Sequence, residues 1–262
     1  MTGAAIPILL YHEVSPRPHP AFRRYTVTAR DFARQMRWLA ALGYRAIDMD
    51  TFVQARAGRA DLPRRPVVIT FDDGFQGSAD HAAPVLRAHG FTAVFYLVAG
   101  LMGKTSRWMA SDPGVDLPLM TWDTARALIT DGFQCGAHSV THRRLAGLPA
   151  EECQAELADG RKRLEDELGR PVAHLAYPFG SYDRAVEDLA AKAGYATACS
   201  TRSGLSGPDD DVLALHRVTV YGHDSLSDFV CRLRTGAAVR ERLGRAVAGF
   251  ARPFRRRGGS PP

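Results

Sequence analysis

The chain has 262 residues, of which 45% are hydrophobic and 24% charged, with a formal net charge of +6. That length can bury a full core in one large domain, and the composition excludes a disordered or fibrous chain. The charge is lopsided: from Arg232 onward there are nine arginines and one glutamate, a local +8, so the preceding 231 residues sum to −2.

Met1 to Ala5 carries no basic run, and the apolar stretch after it is short and broken by Pro7 and His12, so no signal peptide is expected. Ile6 to Tyr11 reads as a buried strand ending at His12-Glu13. Ser15 to Arg24, with Pro16, Pro18 and Pro20, reads as a loop. Phe32, Met36, Leu39 and Leu42 recur at helical spacing and Gly43 closes that helix. Arg45 to Met49 is expected to be a strand, and Asp50 or Thr51 to cap a short helix through Ala57.

Val67 to Phe71 is a run of β-branched and aromatic residues that stops at Asp72-Asp73-Gly74. A helix from about Ala79 to His89 and a strand over Phe91 to Val98 follow. Ala99 to Leu119 shows no period and reads as a long loop, of the kind that carries function. Thr121 can cap a helix; Phe133 to Ala137 is a strand ending at His138-Ser139-Val140-Thr141-His142. A long helix follows Pro149 and stops at Gly169. Val172 to Tyr177 is a strand ending at Pro178-Phe179-Gly180, and Asp183 can cap the next helix. Tyr195 to Ser200 and Val212 to Val220 are the last strands. Cys135, Cys153, Cys199 and Cys231 have no Cys-x-x-Cys spacing and read as reduced thiols of a cytoplasmic protein.

Strands and helices alternate about seven times, the pattern of a parallel α/β fold. Polar clusters fall at the ends of at least three strands, which a barrel brings together better than an open sheet. A domain over residues 1–225 is expected, with a basic helix and tail over 226–262. Phe229, Leu233, Val247, Phe250 and Phe254 could share one face of that helix. It could pack on the barrel, or lie on an anionic membrane at the inner face. Nucleic acid is not expected, since no recognition motif accompanies the arginines. Only three of the 34 basic residues are lysine, so arginine richness alone says little about partners.

Two adjacent carboxylates at the end of an apolar strand are costly unless a cation or a proton neutralises one. His138 and His142 are four residues apart, a spacing that suits one metal. Two histidines and one Asp leave a coordination position open, the composition of a catalytic zinc site rather than a structural one. The second Asp is then available as a general base. Either cluster alone has a plain structural explanation, a capped turn or a surface histidine pair; both at strand ends in one alternating chain are harder to explain that way.

Thr70-Phe71-Asp72-Asp73-Gly74 together with His138-Ser139-Val140-Thr141-His142 resembles the polysaccharide deacetylase family, the NodB-type domain of carbohydrate esterase family 4. The resemblance covers roughly Pro7 to Val220. It implies a distorted (β/α) barrel of about seven parallel strands and removal of acetyl groups from N-acetylated glycans with Zn²⁺ or another divalent metal. It also implies Asp72 as general base and Asp73, His138 and His142 as metal ligands. The third motif reads Ala176-Tyr177-Pro178-Phe179, which keeps the proline and the aromatic, so Phe179 with Pro178 can still serve the oxyanion. The arginine that orients the base in the family is missing there, and Arg217 is a candidate replacement. For the general acid there are two candidates. Leu10-Tyr11-His12 fits the family's Leu-x-His motif literally and is placed first; His216 sits nearer the usual C-terminal position, but Ala214 precedes it. Two alternatives stay open: hydrolysis of another amide or ester, and an inactive sugar-binding domain of the same fold.

Overall fold

The computed structural model describes residues 5–109 and 114–237. The chain opens with β1 (Ile8–Tyr11), then β2 (Glu13–Ser15) and β3 (Thr26–Thr28), which pair with each other in parallel. There follow α1 (Ala29–Ala41), β4 (Arg45–Ala46), α2 (Met49–Arg56) and β5 (Pro66–Phe71). Next come α3 (Gln76–His81), α4 (Ala83–Ala88), β6 (Val94–Leu97), α5 (Trp122–Thr130) and β7 (Gln134–Ala137). The last elements are α6 (Ala150–Leu168), β8 (His174–Ala176), α7 (Arg184–Lys192), β9 (Thr197–Ser203), β10 (Leu215–Thr219) and α8 (Leu226–Thr235).

Strands β5 to β10 pair in sequence order, all in parallel, and β1 closes the ring by pairing with both β10 and β5. The result is the expected (β/α) barrel, closed by seven strands. β4 lies outside the ring, beside the first residues of β5. Because both faces of each strand are covered, the strands read as continuous apolar runs rather than alternating ones. β5 is buried from Val67 to Phe71.

Side-chain parity divides that burial into two layers. Ile8, Val68, Val94, Tyr96, Ala176 and Leu215 fill the lumen, which Met49 and Phe52 of α2 close at one end. The other parity, including Leu9, Ile69, Phe95 and Leu175, meets the helices. At the opposite end Phe22, Phe75, Met109, Val115 and Leu119 form a separate cluster, so part of the expected long loop packs over the barrel.

Several boundaries differ from the sequence reading. The helix expected from Ala79 to His89 is two helices, with Ala82 between them and Pro84 in the first turn of the second. The strand expected to Met49 stops at Ala46, because Asp48 caps α2 by accepting a hydrogen bond from the Thr51 N–H. The loop from Ser15 to Arg24 contains a short 3₁₀ turn, and its flanks form the β2–β3 pair. Thr121 and Asp183 cap α5 and α7 as expected.

α8 packs on the barrel: Phe229 and Leu233 are buried in the same core as the strands, and Trp38 meets Phe229 edge-on. Asp224, just before its first turn, forms a buried ion pair with Arg232 in its last turn. Gly236, with φ of 74°, ends it. Val247, Phe250 and Phe254, and the arginines around them, lie outside the described residues. Among the described residues no helix is long and apolar enough to cross a membrane.

Candidate metal centre and active site

The inward parity of the strands delivers the candidate residues to the C-terminal mouth of the barrel. Ile8, Leu10 and His12 share one face of β1, and Val68, Thr70 and Asp72 share the matching face of β5, since Ile8 is paired with Val68. His12, Asp72, Asp73, His138, His142 and Phe179 all line one cavity of about 410 Å³. Pro178 is buried and does not line it. His216 is the exception. It lies between the inward-facing Leu215 and Arg217, so the parity of β10 points it outward. Its Nδ1 meets Asp210 Oδ2 at 3.2 Å, its side chain packs over Gly204, and a third of it is exposed. Its expected role as a general-acid candidate is therefore withdrawn: it has the wrong parity to reach the cavity.

Asp73 is brought into the site by its backbone. Among the described residues four non-glycine residues have positive φ: Asp73 at 73°, Ser139 at 63°, His142 at 65° and Phe179 at 58°. Each such residue costs of order 1–3 kcal/mol, and all four belong to the motifs at this mouth. The surrounding contacts hold them there. Ser139 Oγ accepts from the His142 N–H at 3.0 Å. Glu156 of α6 is buried and accepts from the Val140 and Thr141 N–H groups, both at 2.9 Å, and from the Thr141 hydroxyl. Gly160, one turn along α6, lets the helix approach the same loop: a Cβ there would stand 3.2 Å from the Ser139 carbonyl carbon.

Sequence reading missed Glu156, which looked like one more helical glutamate. Glu156→Gln is expected to weaken metal binding about tenfold, by taking a charged acceptor from the loop that carries both histidines. A competitive chelator titration measures this.

The donor set fits a divalent cation. One ligand atom each from Asp73, His138 and His142 lie within 4.8 Å of one another, all buried. His138 Nε2 and His142 Nε2 face the same oxygen, Asp73 Oδ1, at 3.2 and 3.0 Å. His138 Nδ1–H donates to the Ala176 carbonyl at 2.7 Å, which turns Nε2 toward the carboxylate; burial works against its charged form, but the Asp73 hydrogen bond and the charges of Asp72 and Asp73 outweigh that and hold the ring above the usual imidazole range. A shared cation satisfies all three groups, and a carbonyl behind a ligating imidazole is the usual way its tautomer is set. His142 Nδ1 is buried without a hydrogen-bond partner among the described residues. Its ring is instead held by aromatic neighbours: Trp108 stacks on it at 4.2 Å between centroids and Phe179 meets it edge-on at 4.5 Å.

Asp72 has a different environment from Asp73. Arg217 reaches up from the layer below and grips it with both ends of the fork, Nη1 to Oδ1 at 2.7 Å and Nη2 to Oδ2 at 2.6 Å. Arg217 Nε donates to the Ser200 carbonyl at 2.8 Å, and its Nη1 also reaches Thr70 Oγ1 at 3.2 Å. Arg217 is fully buried, so no water competes for these bonds. Burial pushes the Asp72 carboxyl up, but the Arg217 guanidinium, with His138, outweighs it and holds Asp72 below the usual carboxylate range. For Asp73 burial also works upward, and the two imidazoles overcome it. Burial lowers His12 and favours the neutral ring, against the pull of Asp73 and Asp72. Its Nδ1 has no hydrogen-bond partner among the described residues, and Tyr25 lies against it at 5.0 Å.

Fold and site together define a closed parallel barrel with a carboxylate–histidine cluster at its C-terminal mouth and a second, arginine-paired carboxylate beside it. The family model of the polysaccharide deacetylases matches residues 59–198, and the chain belongs to that family. It is 26% identical over 217 residues to the Bacillus subtilis (strain 168) protein named "Putative polysaccharide deacetylase YxkH", covering 83% of this chain and 72% of that protein. It is also 31% identical over 84 residues to a poly-beta-1,6-N-acetyl-D-glucosamine N-deacetylase of Staphylococcus epidermidis, covering 32% of this chain and 29% of that one. The solved Streptococcus pyogenes deacetylase PplD shares the fold, with a TM-score of 0.76 at 21% identity over 87% of this chain and 98% of that chain.

Proposed function

We propose that this chain is a divalent-metal-dependent N-deacetylase acting on an amino sugar in a polysaccharide, oligosaccharide or lipid-linked glycan. The observation that carries the reading is the meeting, in one cavity, of an Asp73–His138–His142 donor set with a second carboxylate and a histidine. Asp73, His138 and His142 would hold Zn²⁺ or a similar cation, which when bound supplies Lewis acidity toward the acetyl carbonyl and water.

The chain's own residues do the rest. Asp72, kept ionised by Arg217, accepts the proton of the attacking water. Arg217 also fixes the carboxylate plane, because both of its oxygens are engaged. The Phe179 backbone N–H, at the cavity rim, is assigned to the developing oxyanion. His12 faces the same cavity and is assigned the proton transfer to the departing amine. The alternative of an inactive sugar-binding domain drew on the missing motif arginine; the Arg217–Asp72 pair supplies that contact from another strand and removes the support.

The test is mass-spectrometric detection of acetyl loss over a panel of N-acetylated glycans, with the metal content of the purified chain measured alongside. Chelation is expected to abolish acetyl release and to lower Tm, with Zn²⁺ restoring both. Full activity in thoroughly chelated protein would overturn the metal dependence, and acetyl release from no glycan in the metal-loaded protein would overturn the deacetylase reading.

A further inference from the structure

The aromatic side chains that line the cavity carry arginines whose charge is not neutralised. Arg144 follows His142 by two residues and lines the cavity itself. Its guanidinium lies over the Phe179 ring, 4.3 Å from the centroid. On the His12 side, Arg24 lies over Tyr25 at 5.5 Å and Tyr221 at 5.0 Å, two further rings of the cavity wall. Among the described residues neither arginine has a carboxylate partner, although both are exposed and neighbouring acids exist. Those acids are already engaged: Glu152 pairs with Arg143, Asp224 with Arg232 and Asp72 with Arg217. Among the described residues the only carboxylates lining the cavity are Asp72 and Asp73, one held by Arg217 and the other facing His138 and His142.

This arrangement has a chemical direction. A guanidinium held over an aromatic face is positioned by it, and the N–H groups not otherwise bonded remain available; Arg24 also hydrogen-bonds the Tyr221 side chain. Such a group is prepared to take an oxyanion, phosphoryl or carboxylate, in a two-pronged contact. A concave site whose uncommitted charges, among the described residues, are cationic also concentrates anionic ligands before any contact forms. A neutral glycan needs none of this; stacking on Phe179 or Tyr25 would suffice for it.

We propose that the substrate is an N-acetylated sugar bearing an anionic group on or next to the acetylated ring, received at the cavity mouth by Arg144 and Arg24. This inference rests on the deacetylase reading above and narrows its substrate class.

The test measures binding by calorimetry to the Zn²⁺-loaded full chain, with deacetylated sugars that cannot turn over. Glucosamine 1-phosphate and muramic acid are compared with glucosamine, the first two separating a phosphate from a carboxylate as the source of the charge. At least one anionic sugar is expected to bind about tenfold or more tightly than glucosamine at low salt. That advantage is expected to shrink as salt rises and to fall about tenfold in Arg144→Gln, and further in the Arg24→Gln/Arg144→Gln double variant. Arg144→Lys should retain part of it, since charge without the fork remains. Thermal melting and zinc content confirm that the variants are folded and loaded.

Equal binding of charged and neutral sugars, or an anionic advantage unchanged in the double variant, overturns the proposal. The two readings fail separately. Acetyl release from N-acetyl glycans with no anionic preference leaves the deacetylase standing and removes this inference. Absence of acetyl release from every glycan, charged or neutral, removes both.

Discussion

Asp72→Asn is expected to reduce kcat for deacetylation by about 10²–10⁴-fold, the usual worth of a positioned general base. The amide keeps the size of the carboxylate and can still accept from Arg217 through its oxygen, but it cannot take up a proton from water. Because Asp72 is not among the three converging ligand atoms, bound metal is expected to stay stoichiometric. Asp73→Asn should behave in the opposite way, losing metal first and activity as a consequence. Measuring zinc content and turnover on both variants therefore separates two adjacent carboxylates that sequence alone shows only as a pair. Near wild-type kcat in Asp72→Asn would remove Asp72 from the base role. The amide also leaves Arg217 with a weaker buried partner, so a lower Tm is expected and the kinetics belong well below it.

Arg217→Met is expected to destabilise the fold by about 3–5 kcal/mol, the range for breaking a buried pair from one side. Arg217 and Asp72 are both almost completely inaccessible, so the orphaned carboxylate is left with little compensating solvation. Three further bonds, to the Ser200 carbonyl, to Thr70 and the second prong to Asp72, vanish with it. At about 2–4 °C per kcal/mol for a chain of this size, Tm falls by roughly 10 °C. Arg217→Lys should recover part of the charge term and little of the geometry, because an ammonium cannot engage both carboxylate oxygens in one plane. A thermal melt with Tm unchanged in Arg217→Met would show that the pair contributes no stability.

Legibility followed range along the chain. Thr70 to Gly74 and His138 to His142 could be read because each is a short segment at the end of an apolar strand, and strand ends are where a parallel barrel places its chemistry. His12 could be read for the same reason. His216 could not be excluded, although the clue was present. Leu215, His216 and Arg217 alternate on one strand, and a period of two cannot turn both His216 and Arg217 inward. What the pattern lacks is the choice of face, since Leu215 and Val218 are apolar on opposite sides of a strand buried on both. Glu156 and Trp108 gave no local signal; their roles exist only through contact with a loop far away in sequence.

The apolar periodicities, the strand-end clusters and the caps at Thr121 and Asp183 follow from local physics, and with them the alternating order that makes a parallel barrel. That was enough to point to a carboxylate–histidine donor set; the separate tasks expected of Asp72 and Asp73 came only from the resemblance to the deacetylase family. The folded barrel decided what orients Asp72, which histidine reaches the cavity, and which arginines, among the described residues, stand without a carboxylate near its rim. Each of these depends on side chains from strands such as β5 and β10, whose charged partners lie 145 residues apart. Closing the ring sets β1 between them and turns Arg217 into the lumen one layer beneath Asp72. The pairing of the two is then a product of register and closure, which no local stretch of sequence contains.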